Sequence, residues 1–435
     1  MRIPKLAIAF FFLFCVALYV MYIKWHIEAL PLTDSKDYLK LKNDPDNLCQ
    51  PMSEEEDSRY FLYGIMFDAG STGTRIHIFK FKQMPNDSPK LEHEIFKAIK
   101  PGLSAYADDP EKCTAGIEEL LITAKQTIPC SRWKSTPLVL KATAGLRLLP
   151  DEKAEDLLNQ DVVIHCTVVV LVRYAQSFKI FATENLCLVM HCSLHGSQQR
   201  TVGMLDMGGG STQITFSPQD EVTIQTSPVD YITSFQMFNN THTLYSHSYL
   251  GLGLMSARLA ILGGIEGHPL EEGEELQSPC LAPDYRGDWE HAEVVYTLRG
   301  QKAGEPIYES CYNKVEKMLY KKVKNAGEEK DLDFFAFSYY YDRAVDAGLI
   351  DERSGGVVKV EEYEMAAKKV CTSMETKPGE KPFLCLDLTY ISVLLQELGF
   401  PKEKVFKLAR KINDVETSWA LGATFRYIES LQRQL

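Results

Sequence analysis

Positive charge is in short supply. The 435 residues carry 47 Lys and Arg against 59 Asp and Glu, a formal net charge of −12. Phosphate backbones are bound by basic stripes, and no Lys/Arg cluster here accompanies a nucleic-acid motif, so DNA and RNA are excluded as partners. Signs of extended disorder are lacking too. At 45% hydrophobic and 24% charged, the composition is ordinary globular material, long enough for two domains with their own cores. Cysteine is not scarce. Eleven cysteines are many for a reducing compartment and favour an oxidising one.

What the chain does have is a short pattern that occurs twice. In IMFDAGSTGTR (Ile65–Arg75) an apolar run fit for a buried strand ends in a carboxylate, two glycines and three hydroxyls, and an alternating strand resumes at Ile76. Such a hairpin tip suits a polyphosphate. Gly70 and Gly73 let backbone N–H groups turn toward anionic oxygens, Ser71, Thr72 and Thr74 add donors, and Asp68 can hold a hydrated divalent cation. GMLDMGGGSTQITF (Gly203–Phe216) repeats strand, Asp, glycines, Ser-Thr and strand, so Asp206 reads as the counterpart of Asp68, and Ser211-Thr212 as that of Ser71-Thr72. One copy alone is a common turn. Two copies, each with an Asp ending an apolar strand, imply a duplicated domain with a ligand cleft between the halves. A chain this acidic must neutralise a bound phosphate locally, which points again to a metal ion.

The N-terminus explains the cysteines. Leu6 to Ile23 is an uninterrupted apolar segment with Arg2 and Lys5 before it and Lys24 after, just long enough for a helix to cross a bilayer. No small-x-small site follows closely, so a signal anchor is expected in preference to a cleaved signal peptide. The expected layout is a cytoplasmic tail (1–5), a transmembrane anchor (6–23), a polar stem (24–58), a first domain (59–192), a second domain (193–404) and a closing helical segment (405–435). The spacing of Ile117, Leu120, Leu121, Ala124 and Ile128 predicts a helix over 111–128, ended by Pro129. Residues 136–145 read as a buried strand running into a small-residue turn. Residues 251–262 read as a small-residue packing surface, and 271–298 as an acidic, turn-rich excursion. The run from Phe334 to Asp342 has too many aromatics for one core face, so some rings are expected to reach a ligand. Asn239 heads a usable glycosylation sequon.

With KATAGLR (141–147) and ETSWALGA (416–423), the loops DAGSTGTR (68–75) and DMGGGSTQ (206–213) resemble four of the five conserved regions of the ectonucleoside triphosphate diphosphohydrolase, or apyrase, family. The resemblance spans roughly residues 60–158 and 194–432. It implies an α/β fold of two duplicated actin-like (ribonuclease-H-like) lobes with a nucleotide cleft between them, the last helix folding back across the first lobe. It also implies hydrolysis of nucleoside di- and triphosphates with Mg²⁺ or Ca²⁺, diphosphates such as GDP, IDP and UDP being preferred. The protein would be a monomer held in the Golgi membrane with its catalytic domain lumenal, or secreted after cleavage. By the same resemblance Asp68 and Asp206 hold the metal, and Ser211 and Gln213 orient the attacking water, with Thr143 reaching the cleft. Gly70, Ser71, Thr72, Gly73, Thr74, Arg75, Arg147, Gly208, Gly209 and Gly210 surround the phosphates, and Tyr339 or Tyr340 stacks on the base. Cys280–Cys311 and Cys371–Cys385 are the pairs that the family bridges.

One region departs from the family. Where the apyrases carry an acidic Glu-Gly turn, whose glutamate is the proposed general base, and a Trp-containing helix, residues 160–192 contain no Asp/Glu-Glu-Gly and no Trp. The nearest carboxylate, Glu184, lacks the glycine turn that would present it. The alternative expectation is therefore a catalytically impaired nucleotide and metal binder. A sugar-kinase-like phosphotransferase would fit the same loops but not an oxidising lumen, and an exopolyphosphatase would not explain the aromatic run.

Overall fold

Residues 60–85, 87–142, 144–149, 152–154, 157, 178–182, 202–237, 240–292, 294–302, 304–376 and 380–432 are described in the structure, a computed structural model. The anchor and stem expected at 6–58, the departing segment 160–192 except for one strand, Thr143 and Asn239 lie outside them. Among the described residues no helix is long and apolar enough to cross a membrane.

The first lobe is a five-stranded sheet. β1 (Phe61–Ala69), β2 (Thr74–Lys82) and β3 (Lys90–Ile99) form an antiparallel meander, while β4 (Leu138–Ala142) pairs parallel to β1 and β5 (Phe178–Ala182) parallel to β4, giving the order β3-β2-β1-β4-β5. β1 runs apolar from Ile65 to Phe67 because both its faces are covered, which removes the usual alternation. Ile65, Phe67 and Ala69 pack under helix Thr114–Thr127, whose buried Ile117, Leu120, Leu121 and Ala124 form the stripe expected from the spacing. Met66 faces the other way, with Phe79, Phe81 and Val139, under helix Ala420–Gln432.

The second lobe repeats this plan. β6 (Gly203–Met207), β7 (Ser211–Phe216), β8 (Ile232–Met237) and β9 (Asn240–Leu250) are followed by a small separate sheet of β10 (Leu276–Ser278), β11 (Arg286–His291) and β12 (Val294–Gly300), then by β13 (Phe334–Ser338), β14 (Gly356–Lys359) and β15 (Val405–Leu408). The main sheet has the order β14-β15-β13-β6-β7-β9-β8. Its run β9-β7-β6-β13-β15 is antiparallel, antiparallel, parallel, parallel, the same sequence of pairings as β3-β2-β1-β4-β5. A duplicated fold is therefore visible in topology. Helix Leu384–Glu397, buried on nearly every side, packs with helices Leu254–Leu262, Ile307–Leu319 and Val360–Thr376 into the core of this lobe.

Two expectations need correction. The second lobe does not stop at 404, since β15 pairs with β13 and β14 in its main sheet; the chain crosses to the first lobe at the hairpin of β16 (Lys411–Ile412) and β17 (Val415–Glu416). The excursion 271–298 is not mere turns, because alternating residues of β11 and β12 form a half-buried ladder. Disulfides Cys280–Cys311 and Cys371–Cys385 are both present.

Candidate active site

The two repeated loops are hairpin tips built alike. Asp68 is the penultimate residue of β1 and Asp206 that of β6, and each loop closes with the same three-residue bond, Gly70 N–H to Gly73 O at 3.0 Å and Gly208 N–H to Ser211 O at 2.9 Å. This register corrects the reading by residue type. Asp68 lies opposite Arg75 and Asp206 opposite Gln213, so the counterpart of Ser71 is Gly209, Ser211 answers Gly73, and Gln213 answers Arg75. Strand register counts from the shared aspartate, whereas the Ser-Thr pairs are displaced from each other by two residues.

The second loop shows which way its backbone points. The first N–H groups of helix Leu254–Leu262 take its carbonyls: Leu254 donates to Gly208 O and Met255 to Gly209 O, each at 2.9 Å, while Gly251 donates to Gly210 O at 2.8 Å. In a trans peptide the next N–H lies opposite the carbonyl. The N–H groups of Gly209 and Gly210 therefore face away from the helix, on the side of a cleft of 450 Å³ that both loops line. The helix can come this close only because Gly253 lacks a side chain; a Cβ there would sit 2.2 Å from Ser211 N. What reads in sequence as a packing surface over 251–262 is thus also the buttress of the second glycine loop.

The side chains of the cleft form a connected set. Asp68 Oδ2 accepts from Arg75 Nη1 at 3.1 Å, but its Oδ1 is buried without a hydrogen-bond partner. Asp206 Oδ1 accepts from the Ser338 hydroxyl at 2.6 Å. Burial pushes the Asp206 carboxyl above the usual carboxylate range; the like charge of Asp68 adds to this, while the Ser338 hydrogen bond and Arg75 oppose it. Two carboxylates from different lobes, one with an orphaned oxygen, fit a largely hydrated divalent cation. Gln213 Nε2 donates to Ser211 Oγ at 2.6 Å and to Ser248 Oγ at 2.9 Å, which leaves its amide oxygen as an acceptor. Arg147 also reaches Ser248 Oγ, at 3.3 Å, with its buried Nε unpaired.

The tyrosines divide differently from expectation. Tyr340 is fully buried in the core beneath the loop, its hydroxyl 3.4 Å from Thr212 Oγ1, and it does not line the cleft. Helix Tyr339–Asp346 instead turns its neighbours Tyr339 and Tyr341 to the cleft wall. Arg343 lies 5.8 Å from the Tyr339 ring and donates to the fully buried Asp387, which also receives two bonds from Arg258, at 3.1 and 2.7 Å.

Sequence reasoning missed Ser338, Ser248 and Tyr341. Ser338 had one available signal, its place at the carboxyl end of an apolar strand parallel to β6, where ligands of α/β sheets gather. Its φ of 56° is a strained conformation for a serine and aims the hydroxyl at Asp206. Ser248 stands opposite Gln213 only because β9 pairs with β7.

The profile of the GDA1/CD39 (nucleoside phosphatase) family matches residues 52–434. The chain belongs to this family. Human ectonucleoside triphosphate diphosphohydrolase 6 is 51% identical over 449 aligned positions, covering 100% of this chain and 91% of the human one. Its mouse namesake is 54% identical, covering 97% and 94%. A human protein named nucleoside diphosphate phosphatase ENTPD5 is 46% identical, covering 85% and 88%. A solved structure of nucleoside triphosphate hydrolases from Neospora caninum superimposes with a TM-score of 0.55 at 14% identity, over 86% of this chain and 93% of that one, which shows the shared fold. As a member of the GDA1/CD39 family the chain is an enzyme of the phosphatase class.

Proposed function

We propose that the chain hydrolyses nucleoside diphosphates, with GDP, IDP and UDP ahead of triphosphates, to the monophosphate and phosphate, with Mg²⁺ or Ca²⁺, in the lumen of the Golgi as a membrane-anchored or secreted monomer. The observation that carries the reading is one cleft lined by both glycine loops, Gly70–Gly73 and Gly208–Ser211, with the carbonyls of Gly208 and Gly209 tied back to a helix and a carboxylate at the root of each loop. Phosphoryl transfer needs mainly positioning and charge neutralisation. The two loops and Thr74 would hold the phosphate oxygens, with Arg147 as charge partner through its unpaired Nε. Asp68 and Asp206 would hold the cation, which supplies neutralisation of the phosphate charge. Ser211 and the Gln213 amide oxygen would orient the attacking water. Tyr339, with Tyr341 in place of Tyr340, would flank the base. Asn239 would be a glycosylation site by its sequon, and Thr143 a cleft residue by resemblance.

A second reading, a binder with impaired turnover, is favoured by the absence of an acidic Glu-Gly turn between Leu158 and Ser193. The lumenal chain as it stands and a version with that turn restored should be compared for GDP and UDP hydrolysis and for nucleotide binding. Phosphate release by the natural chain supports the first reading. Binding without release supports the second, with general-base assistance worth about 10² to 10⁴ in rate restored by the turn. Neither binding nor release removes both.

A further inference from the structure

Beyond the glycine loops, the cleft wall carries two opposite charges that the reading above does not use. β6, β13 and β15 are parallel neighbours in the sheet, so their carboxyl ends deliver Asp206, Ser338 and Arg410 in that order to the cleft. Two strand spacings, about 10 Å, separate the first from the last. A ligand with its phosphates at Asp206 can therefore reach Arg410 with its far end. Between them starts helix Tyr339–Asp346. Tyr339 and Asp342 stand three residues apart on it, share one face, and both line the cleft.

Both charges remain open to a ligand. Asp342 is exposed, and among the described residues its carboxylate makes no hydrogen bond or ion pair. Partial burial by the cleft walls pushes this carboxyl above the ordinary carboxylate range, Arg343 and then Arg410 oppose the shift, and Asp346 adds to it. Arg343 is engaged, donating to Asp387 at 3.1 Å and pairing with Asp346 at 2.8 Å. Arg410 is placed differently. Its carbonyl is fixed by the Thr417 N–H and hydroxyl, at 3.1 and 2.9 Å, and its Nε lies 3.7 Å from Glu416 Oε1, which leaves both Nη groups without a partner among the described residues.

An ionised carboxylate only accepts hydrogen bonds and a guanidinium only donates them. Beside a tyrosine ring, the two together match one kind of base edge, a ring N–H next to a carbonyl oxygen. Guanine, hypoxanthine and uracil carry that edge. Adenine and cytosine carry its reverse, a bare ring nitrogen next to an amino group, and would set a lone pair against the carboxylate and N–H against the guanidinium. We propose that Asp342 and Arg410 read the base: with the ring against Tyr339, the Asp342 carboxylate accepts the ring N–H and the Arg410 guanidinium donates to the adjacent carbonyl oxygen. The inference rests on the nucleotide reading above and extends it from the phosphates to the base.

Equilibrium binding of GDP, IDP, UDP, ADP and CDP to the full chain with Mg²⁺, and turnover of each, test the assignment. The unsubstituted chain should favour the three keto bases by about 10- to 100-fold. Asp342→Asn can turn an amide NH₂ toward the bare nitrogen of adenine or cytosine, and Arg410→Gln can offer an amide oxygen to their amino group. Each should remove most of the preference by weakening GDP and strengthening ADP, in KM rather than kcat, and Asp342→Asn should keep the thermal midpoint because no hydrogen bond within the protein is lost. Equal losses for all five nucleotides would assign the pair to the ribose or phosphates. That result, a preference that survives either substitution, or none in the unsubstituted chain would overturn the base reading and leave the hydrolase reading intact. The expected preference in binding without any turnover would support the base reading and remove the hydrolase one. A folded chain that binds none of the five would overturn both.

Discussion

Gly209 sits where the second glycine loop meets the first. A Cβ at this position would lie 2.6 Å from Ser71 Oγ and 2.7 Å from Thr72 Cγ2. Comfortable carbon contacts begin near about 3.5 Å, so Gly209→Ala must push the two loops apart, or their side chains aside, by roughly 1 Å. Its φ is not in the left-handed region, so alanine is conformationally allowed and the effect is steric. Both obstructing atoms end short side chains that can rotate, which limits the loss of stability to about 1 to 3 kcal/mol. The loss of turnover should be larger, because under the proposed function the loops would hold opposite sides of one phosphate group, where a 1 Å misplacement is worth about 10²-fold. Gly208→Ala is the control for folding. There the nearest atom to a Cβ is Ser211 O at 3.5 Å, and stability should change by less than about 0.5 kcal/mol. Urea unfolding and kcat/KM for GDP would be measured on all three chains. A Gly209→Ala chain with the original kcat/KM, or a Gly208→Ala chain equally destabilised, would refute the claim that the loops are in contact.

Asp206→Asn and Asp68→Asn should each lower divalent-cation affinity by more than the roughly 10 to 100-fold typical of residues that only orient ligands; a Mg²⁺ titration followed by nucleotide-dependent thermal shift would show it, and unaltered titrations would remove the metal role. Asp387→Ala leaves Arg258 and Arg343 without their shared acceptor and should destabilise the second lobe by about 3 to 5 kcal/mol, whereas a change under about 1 kcal/mol in denaturant unfolding would show the network to be dispensable. Burial, with Arg426 adding, pushes the Lys141 amine from its ordinary 10.5 down to about 8. The folded chain then binds fewer protons than the unfolded one between those values, so stability rises with pH across that window and is lowest below it, by about 3 kcal/mol at most. Lys141→Met should raise the urea midpoint at pH 7 and flatten this rise, and equal pH responses in the two chains would contradict it.

Much of the site was legible because its parts are local. A buried strand, an aspartate near its end and a glycine tip are contiguous in Ile65–Arg75 and again in Gly203–Gln213, and the chemistry of such a turn needs no distant partner. The amphipathic stripe of helix Thr114–Thr127 was legible for the same reason. The tyrosines were not. Both Tyr339 and Tyr340 satisfy the same local pattern, and only the seating of their helix on β6 and β7 sends Tyr340 under the loop and Tyr339 to the cleft.

By itself, then, the sequence determined the duplicated strand-loop-strand units, the carboxylates at their roots and the membership of the chain in its family. The tertiary structure alone decided which groups those loops point at. Gln213 answers Arg75 because register is counted along paired strands; Ser338 holds Asp206 across 132 residues; and the N–H groups of Gly209 and Gly210 turn to the cleft side because a helix that begins more than 40 residues later takes the carbonyls before them. Backbone direction and the pairing of distant side chains are set by which surfaces the core brings together, and that depends on contacts spread over both lobes.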